Sequence, residues 1–149
     1  MVACAVLSLL VAGVAFAFWR SAGSGSAPAT TGTTASLTLS PGTPTAQLYP
    51  GGQANVVLTV LNPSAATVHV GSFVLDTGQG SNGFGVDGAH SACGLAALSF
   101  TTQTNGGAGW TVPGNSSIAV TLSSALGMSS SAASACQNAS FTVYLAVAP

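Results

Sequence analysis

The sequence predicts an all-β sandwich, and three observations predict it. Beyond residue 34, apolar residues alternate with small polar ones at a period of two. Turn signals built from Pro, Gly and Asn recur between those runs. The composition is 48% hydrophobic and 2% charged, with 19 glycines and only Arg20, Asp76 and Asp87 as formal charges, for a net of -1. Disordered chains combine high charge with low hydrophobicity, so this composition still describes a chain that buries a core. At 149 residues that core belongs to one domain.

Residues 1–19, MVACAVLSLLVAGVAFAFW, carry no charged side chain. As a helix they would span about 28 Å, close to a bilayer core. Ala15-Phe16-Ala17 fits the small-x-small pattern of a signal-peptidase site, with Ala15 and Ala17 as the candidate cleavage residues. The same run also suits a retained membrane anchor, or the apolar helix that pilin-type subunits pack in a filament core. The basic residues expected ahead of an export signal are missing, and one account is a start codon upstream of Met1. Residues 20–34, RSAGSGSAPATTGTT, have no apolar periodicity and read as a Gly/Ser/Thr-rich tether.

The domain then occupies residues 35–149. Residues 36–40 set Leu37 and Leu39 on one face. Residues 54–61 set Val56, Leu58 and Val60 against Asn55, Val57, Thr59 and Leu61, apolar nearly all round as a central strand would be. Residues 67–75 place Val68, Val70 and Val74 opposite His69, Gly71 and Phe73. A weaker strand surrounds Leu98 and Phe100, and Trp110 and Val112 begin another. Residues 117–123 alternate Ile118, Val120 and Leu122 with Ala119 and Thr121. Residues 140–147 alternate Phe141, Val143, Leu145 and Val147 with Thr142, Tyr144 and Ala146, the cleanest period of two in the chain. Tyr49-Pro50-Gly51-Gly52 and Val112-Pro113-Gly114-Asn115 each precede a strand as a Pro-Gly turn, with glycine supplying a positive φ. Asn62-Pro63 ends one strand, because proline cannot continue a central ladder. About seven strands suit an immunoglobulin-like sandwich.

The residues Ala17-Phe18-Trp19, the Gly-Ser tether, Leu48 to Gly52, Val60-Leu61-Asn62-Pro63, Cys93, Met128-Ser129 and Ala135 to Val143 together resemble small exported actinobacterial proteins. These are single Ig-like or fibronectin-like sandwiches of no established activity. The resemblance covers nearly the whole chain and is most specific from Met128 to Val143. A looser likeness, in leader and tether placement alone, is to camelysin and the TasA-type fibre subunits, and it implies exported sandwiches that assemble into surface fibres. The glycine-rich loop from Asp76 to Ala92 is longer than this pattern, and the basic leader residues are absent.

Composition excludes a nucleic-acid face, because binding phosphates takes several Lys or Arg and only Arg20 is present. It leaves four titratable side chains suited to acid-base work in the domain, Asp76, Asp87, His69 and His90, so no enzyme is expected. No GxSxG nucleophile pattern occurs. Cys93 and Cys136 form an even pair in an exported domain, with Cys4 in the leader, and predict a disulfide. A zinc set of His69, His90 and Cys93 would compete with that bridge. Asp76, Asn82 and Asp87 offer oxygen ligands for calcium on a flexible loop, although Gly, Asn and Asp are also the commonest turn formers, and no cofactor is expected. A carboxylate pair for glycoside cleavage would need a cleft richer in polar groups. Trp110, Tyr49 and Tyr144 are candidates for a sugar-stacking platform, but no clustered polar and aromatic face is visible in the sequence.

These features predict a non-enzymatic, exported structural protein of the cell surface whose partner is itself, as a filament or surface layer. Near-zero net charge removes the repulsion that keeps copies apart. The membrane is a second partner if the leader is retained. The alternative is a monomeric, membrane-tethered or secreted Ig-like domain for adhesion or ligand binding.

Overall fold

The computed structural model describes residues 36–148; the leader with Ala15 and Ala17, and the tether, lie outside the described residues. The described chain is all-β. Its strands are β1 (Thr38–Leu39), β2 (Thr43–Pro44), β3 (Gln53–Asn62), β4 (Val68–Val70), β5 (Ser72–Leu75), β6 (Phe84–Val86), β7 (Leu98–Phe100), β8 (Trp110–Val112), β9 (Ser116–Met128), β10 (Phe141–Val143) and β11 (Leu145–Ala148). All pairings are antiparallel. Among the described residues no helix is long and apolar enough to cross a membrane.

β3 and β9 form the spine of the first sheet, with β1 and β2 beyond β3 and β7 beyond β9. Alternation does the sorting: Ala54, Val56, Leu58, Val60 and Asn62 are buried, while Gln53, Asn55, Thr59 and Leu61 face solvent. β9 is longer than the 117–123 strand that periodicity predicts. Its register against β3 slips between Ala54 and Val56, where Ser124 adopts φ 48° and its N–H donates to Asn55 Oδ1 at 2.8 Å. Ala54 pairs with Leu126 and Val56 with Leu122, so the bulge adds two residues and leaves the alternation in phase. Leu126 and Met128 therefore stay on the buried face with Val120 and Leu122.

β10 and β11 are one strand, interrupted at Tyr144, that pairs with β6 and β5 in turn. β5 and β6 are likewise one strand with an excursion, because Leu75 faces Leu145 and Phe84 faces Val143. The segment between them, residues 76–83, loops out and makes up the first half of the glycine-rich stretch. Single bridges join the edges of the two sheets, Gly42 with Val143 on one side and Phe73 with Gln103 on the other. The result is a sandwich in which all strands but the β4–β8 pair form one hydrogen-bonded circuit around the core.

Two expected faces are corrected. Val70 and Phe73 are both buried, and Val74 is half-buried, because the chain leaves β8 for β11 at Gly71 and changes phase there. Val147 is 40% exposed although it continues the face of Phe141, Val143 and Leu145. Gly51 does adopt φ 79° in its turn. In the second turn it is Asn115 that has positive φ, at 50°. Gly114 is needed for closeness instead: a Cβ there would lie 2.1 Å from the Ala65 carbonyl oxygen.

Cys93 and Cys136 are bonded, tying the loop before β7 to the loop before β10. Closing 43 residues of chain restricts the unfolded state by about 4 kcal/mol on the loop-entropy account.

Candidate functional site

Along the C-terminal strand the even residues spend their peptide groups on β5 and β6. Asp76 N–H donates to Tyr144 O at 2.9 Å, Tyr144 N–H to Gly83 O at 2.9 Å, and Asp87 N–H to Ser140 O at 3.0 Å. In an antiparallel strand the odd residues then point to the opposite edge. Val143 uses that edge for its bridge: Gly42 N–H donates to Val143 O at 2.7 Å and Val143 N–H to Gly42 O at 2.8 Å. On either side of the bridge, Phe141, Leu145 and Val147 have no backbone partner at this edge among the described residues.

The facing wall is differently made. Ser40 N–H donates to Thr59 O and Thr45 N–H to Asn55 O, both at 2.9 Å, so these residues turn toward β3. Pro41 and Pro44 supply no N–H at all. Between Pro44 and Phe141 the seam opens into a cavity of about 400 Å³ floored by Leu48. The wall carrying β1 and β2 is thus protected by proline, and the wall carrying β10 and β11 is not. No charged side chain lines the cavity.

The remaining candidates are dispersed over the fold. Asp76 opens the looped-out segment, where its Oδ1 accepts from Gly78 N–H at 3.1 Å and its Oδ2 from Gln79 Nε2 at 2.7 Å. Asn82 turns the same loop with φ 51°. Asp87 follows β6; the partners of Asp76 and Asp87 on the C-terminal strand, Tyr144 and Ser140, are four positions apart, or about 13 Å at the rise of a strand. That spacing separates the two carboxylates beyond the reach of one calcium ion, whose oxygens sit about 2.3–2.6 Å from it.

Asp87 instead caps a single 3₁₀ turn. Its carboxylate accepts from Ser140 N–H at 2.6 Å and Ala89 N–H at 3.0 Å, and lies 2.7 Å from His90 Nδ1. The Ser140 N–H first, then the His90 ring, hold its carboxyl below the ordinary value of 3.8. Among the described residues the ring nitrogens of His90 contact Asp87 alone. His69 points outward from β4 with Nε2 3.0 Å from Ala108 O, and the Cys93 sulfur is in the disulfide. Among the described residues no three His, Cys, Asp or Glu side chains gather as a metal site would need.

The three aromatics proposed as a platform also part. Trp110 is half-buried with its ring 4.7 Å from that of Phe73, tilted at 58°. Tyr144 is half-buried against Gly80. Tyr49 alone stands out, 66% exposed. The seam itself was only partly legible: the lack of protecting charges is visible in sequence, whereas which edge lies open depends on the Gly42–Val143 bridge.

Comparison with protein families, curated proteins and solved structures returns no match.

Proposed function

We propose that this protein is an exported, non-enzymatic structural protein of the cell surface that assembles with copies of itself by strand addition along the seam. The observation that carries the reading is the outer edge of Phe141–Ala148, which has neither proline nor charge and, among the described residues, is hydrogen-bonded to the facing wall only at Val143. An edge of this kind accepts an added strand, with main-chain hydrogen bonds supplying the adhesion. The disulfide supports an oxidising compartment and hence export. The reading against catalysis rests on the four acid-base side chains: Asp76 serves a local turn, Asp87 holds its own turn and the Ser140 N–H, His90 pairs with Asp87, and His69 lies at the surface.

The test is sedimentation of the full-length protein in concentrated salt, alongside electron microscopy of native cell surfaces. Contacts made by apolar burial and backbone hydrogen bonds are hardly screened, so multimers should persist. Deleting residues 1–19 should spare them, while deleting 1–34 should also remove a tether that could serve as the added strand. Loss on the first deletion alone would assign assembly to leader helices. A monomer at high concentration, with no fibres or arrays on cells, would overturn the structural reading in favour of a tethered adhesion domain.

A further inference from the structure

Beside the seam lies a second concavity of about 270 Å³, and its lining is of a different kind. Leu48 and Met128 form its floor, and Gln47, Tyr49, Gln137 and Asn138 its rim. Here the polar and aromatic face that the sequence does not display is assembled from residues distant in the chain. Gln47 Nε2 donates to Asn138 Oδ1 at 3.1 Å across a separation of 91 residues. That bond leaves Gln47 Oε1 and both N–H groups of Asn138 Nδ2 without a protein partner among the described residues, at an exposed position.

The surroundings hold this rim in place. Gly52 N–H donates to Tyr49 O at 2.8 Å, Gly51 N–H to Met128 O at 2.9 Å and Met128 N–H to Gly52 O at 3.0 Å, so the turn bearing Tyr49 is tied to the end of β9. The Tyr49 ring rests on Gly52, where a Cβ would stand 2.8 Å from the ring. The ring is thereby propped on one side and remains 66% exposed. The opposite wall follows directly from Cys136 and is anchored through the disulfide.

From this arrangement we infer that the concavity is a binding subsite for a neutral glycan, with the sugar ring stacked on Tyr49 and its hydroxyls paired with the amides of Gln47 and Asn138. Each part of the ligand class follows from the lining. No charged side chain faces the concavity, so a charged ligand would lose hydration without a counter-charge. A purely apolar ligand would leave the free amides unpaired. Sugar hydroxyls both donate and accept, which matches side-chain amides. A peptide adding as a β-strand would need a strand edge, and this rim is built from turn and loop residues. The inference is independent of assembly, which uses the edge beyond Phe141.

The experiment titrates isotopically labelled full-length protein with cellohexaose, maltohexaose and hexa-N-acetylchitohexaose, all neutral, and follows the side-chain amides of Gln47 and Asn138 and the Tyr49 ring by NMR. A charged hyaluronan oligosaccharide and an alternating Thr-Val peptide are the comparison probes. At least one neutral hexasaccharide should shift those signals saturably. Tyr49→Ala should weaken that binding about tenfold, the scale of one aromatic stacking contact, while Tyr144→Phe leaves it unchanged. The inference is overturned if no neutral hexasaccharide binds at millimolar concentration, if only the peptide or the charged glycan shifts these signals, or if Tyr49→Ala binds as tightly as the parent. Multimers that persist through any of those results would leave the assembly reading standing.

Discussion

Asn62 is fully buried at the end of β3, where its Nδ2 faces the carbonyl oxygens of Ala66 at 2.8 Å and of Val112 and Pro113 at 3.1 Å. Its Oδ1 accepts from Ser64 N–H at 3.1 Å and Ser64 Oγ at 2.7 Å. One side chain therefore joins the turn after β3 to the turn before β9. Asn62→Ala should cost about 2–4 kcal/mol in urea unfolding, because several carbonyls lose their donor together. Asn62→Asp keeps the acceptor but loses the donors, and should be at least as damaging. Asp87 gives a pH signature whose sign follows from its lowered carboxyl. A depressed folded-state pKa contributes stability above the unfolded value of 3.8 that is lost as pH falls through the folded one. Thermal unfolding should show the parent more stable than Asp87→Asn at pH 6, with the gap narrowing as the pH is taken below 3.8. A gap that stays constant down to pH 2 would remove this assignment.

At the scale of elements, the C-terminal strand has two edges with opposite fates. Its even residues are committed to β5 and β6, and its odd residues face the seam. Val147 is 40% exposed and sits on the free stretch, so Val147→Lys introduces the kind of charge that natural edge strands use against pairing. This variant should lose multimers in sedimentation while unfolding within about 1 kcal/mol of the parent. Lys at Leu61, 44% exposed but on β3 between paired neighbours, should leave assembly intact. If both variants assemble normally, the seam is not the contact.

At the scale of the whole molecule, the circuit of strands is closed by two single bridges and stapled by one disulfide. The staple joins loops on the approach to β7 and β10, far apart in sequence, so it acts chiefly on the unfolded chain. Replacing both cysteines with serine should lower stability in urea by about 4 kcal/mol. Adding reductant to the unfolded parent before refolding should reproduce that loss, and a negligible difference would show that the reduced chain is already compact.

Period-two alternation was enough to place β3, β8, the first half of β9 and the C-terminal strand, because a side chain's face in a strand is decided by parity. The paired cysteines and the absence of charge were equally plain in the sequence. Parity fails where the backbone changes course. At Gly71 the chain exchanges partners, which puts Phe73 inside, and at Ser124 a bulge extends β9 without disturbing its faces. β2 and β6 are too short to show a period, and they exist because longer strands offer them an edge. The positions of the two candidate sites belong to the tertiary structure, although the missing charges of the seam are visible in the sequence. Pro44 faces Phe141, and Gln47 meets Asn138, only once the circuit closes between Gly42 and Val143, and no local pattern encodes contacts between segments that folding alone makes neighbours.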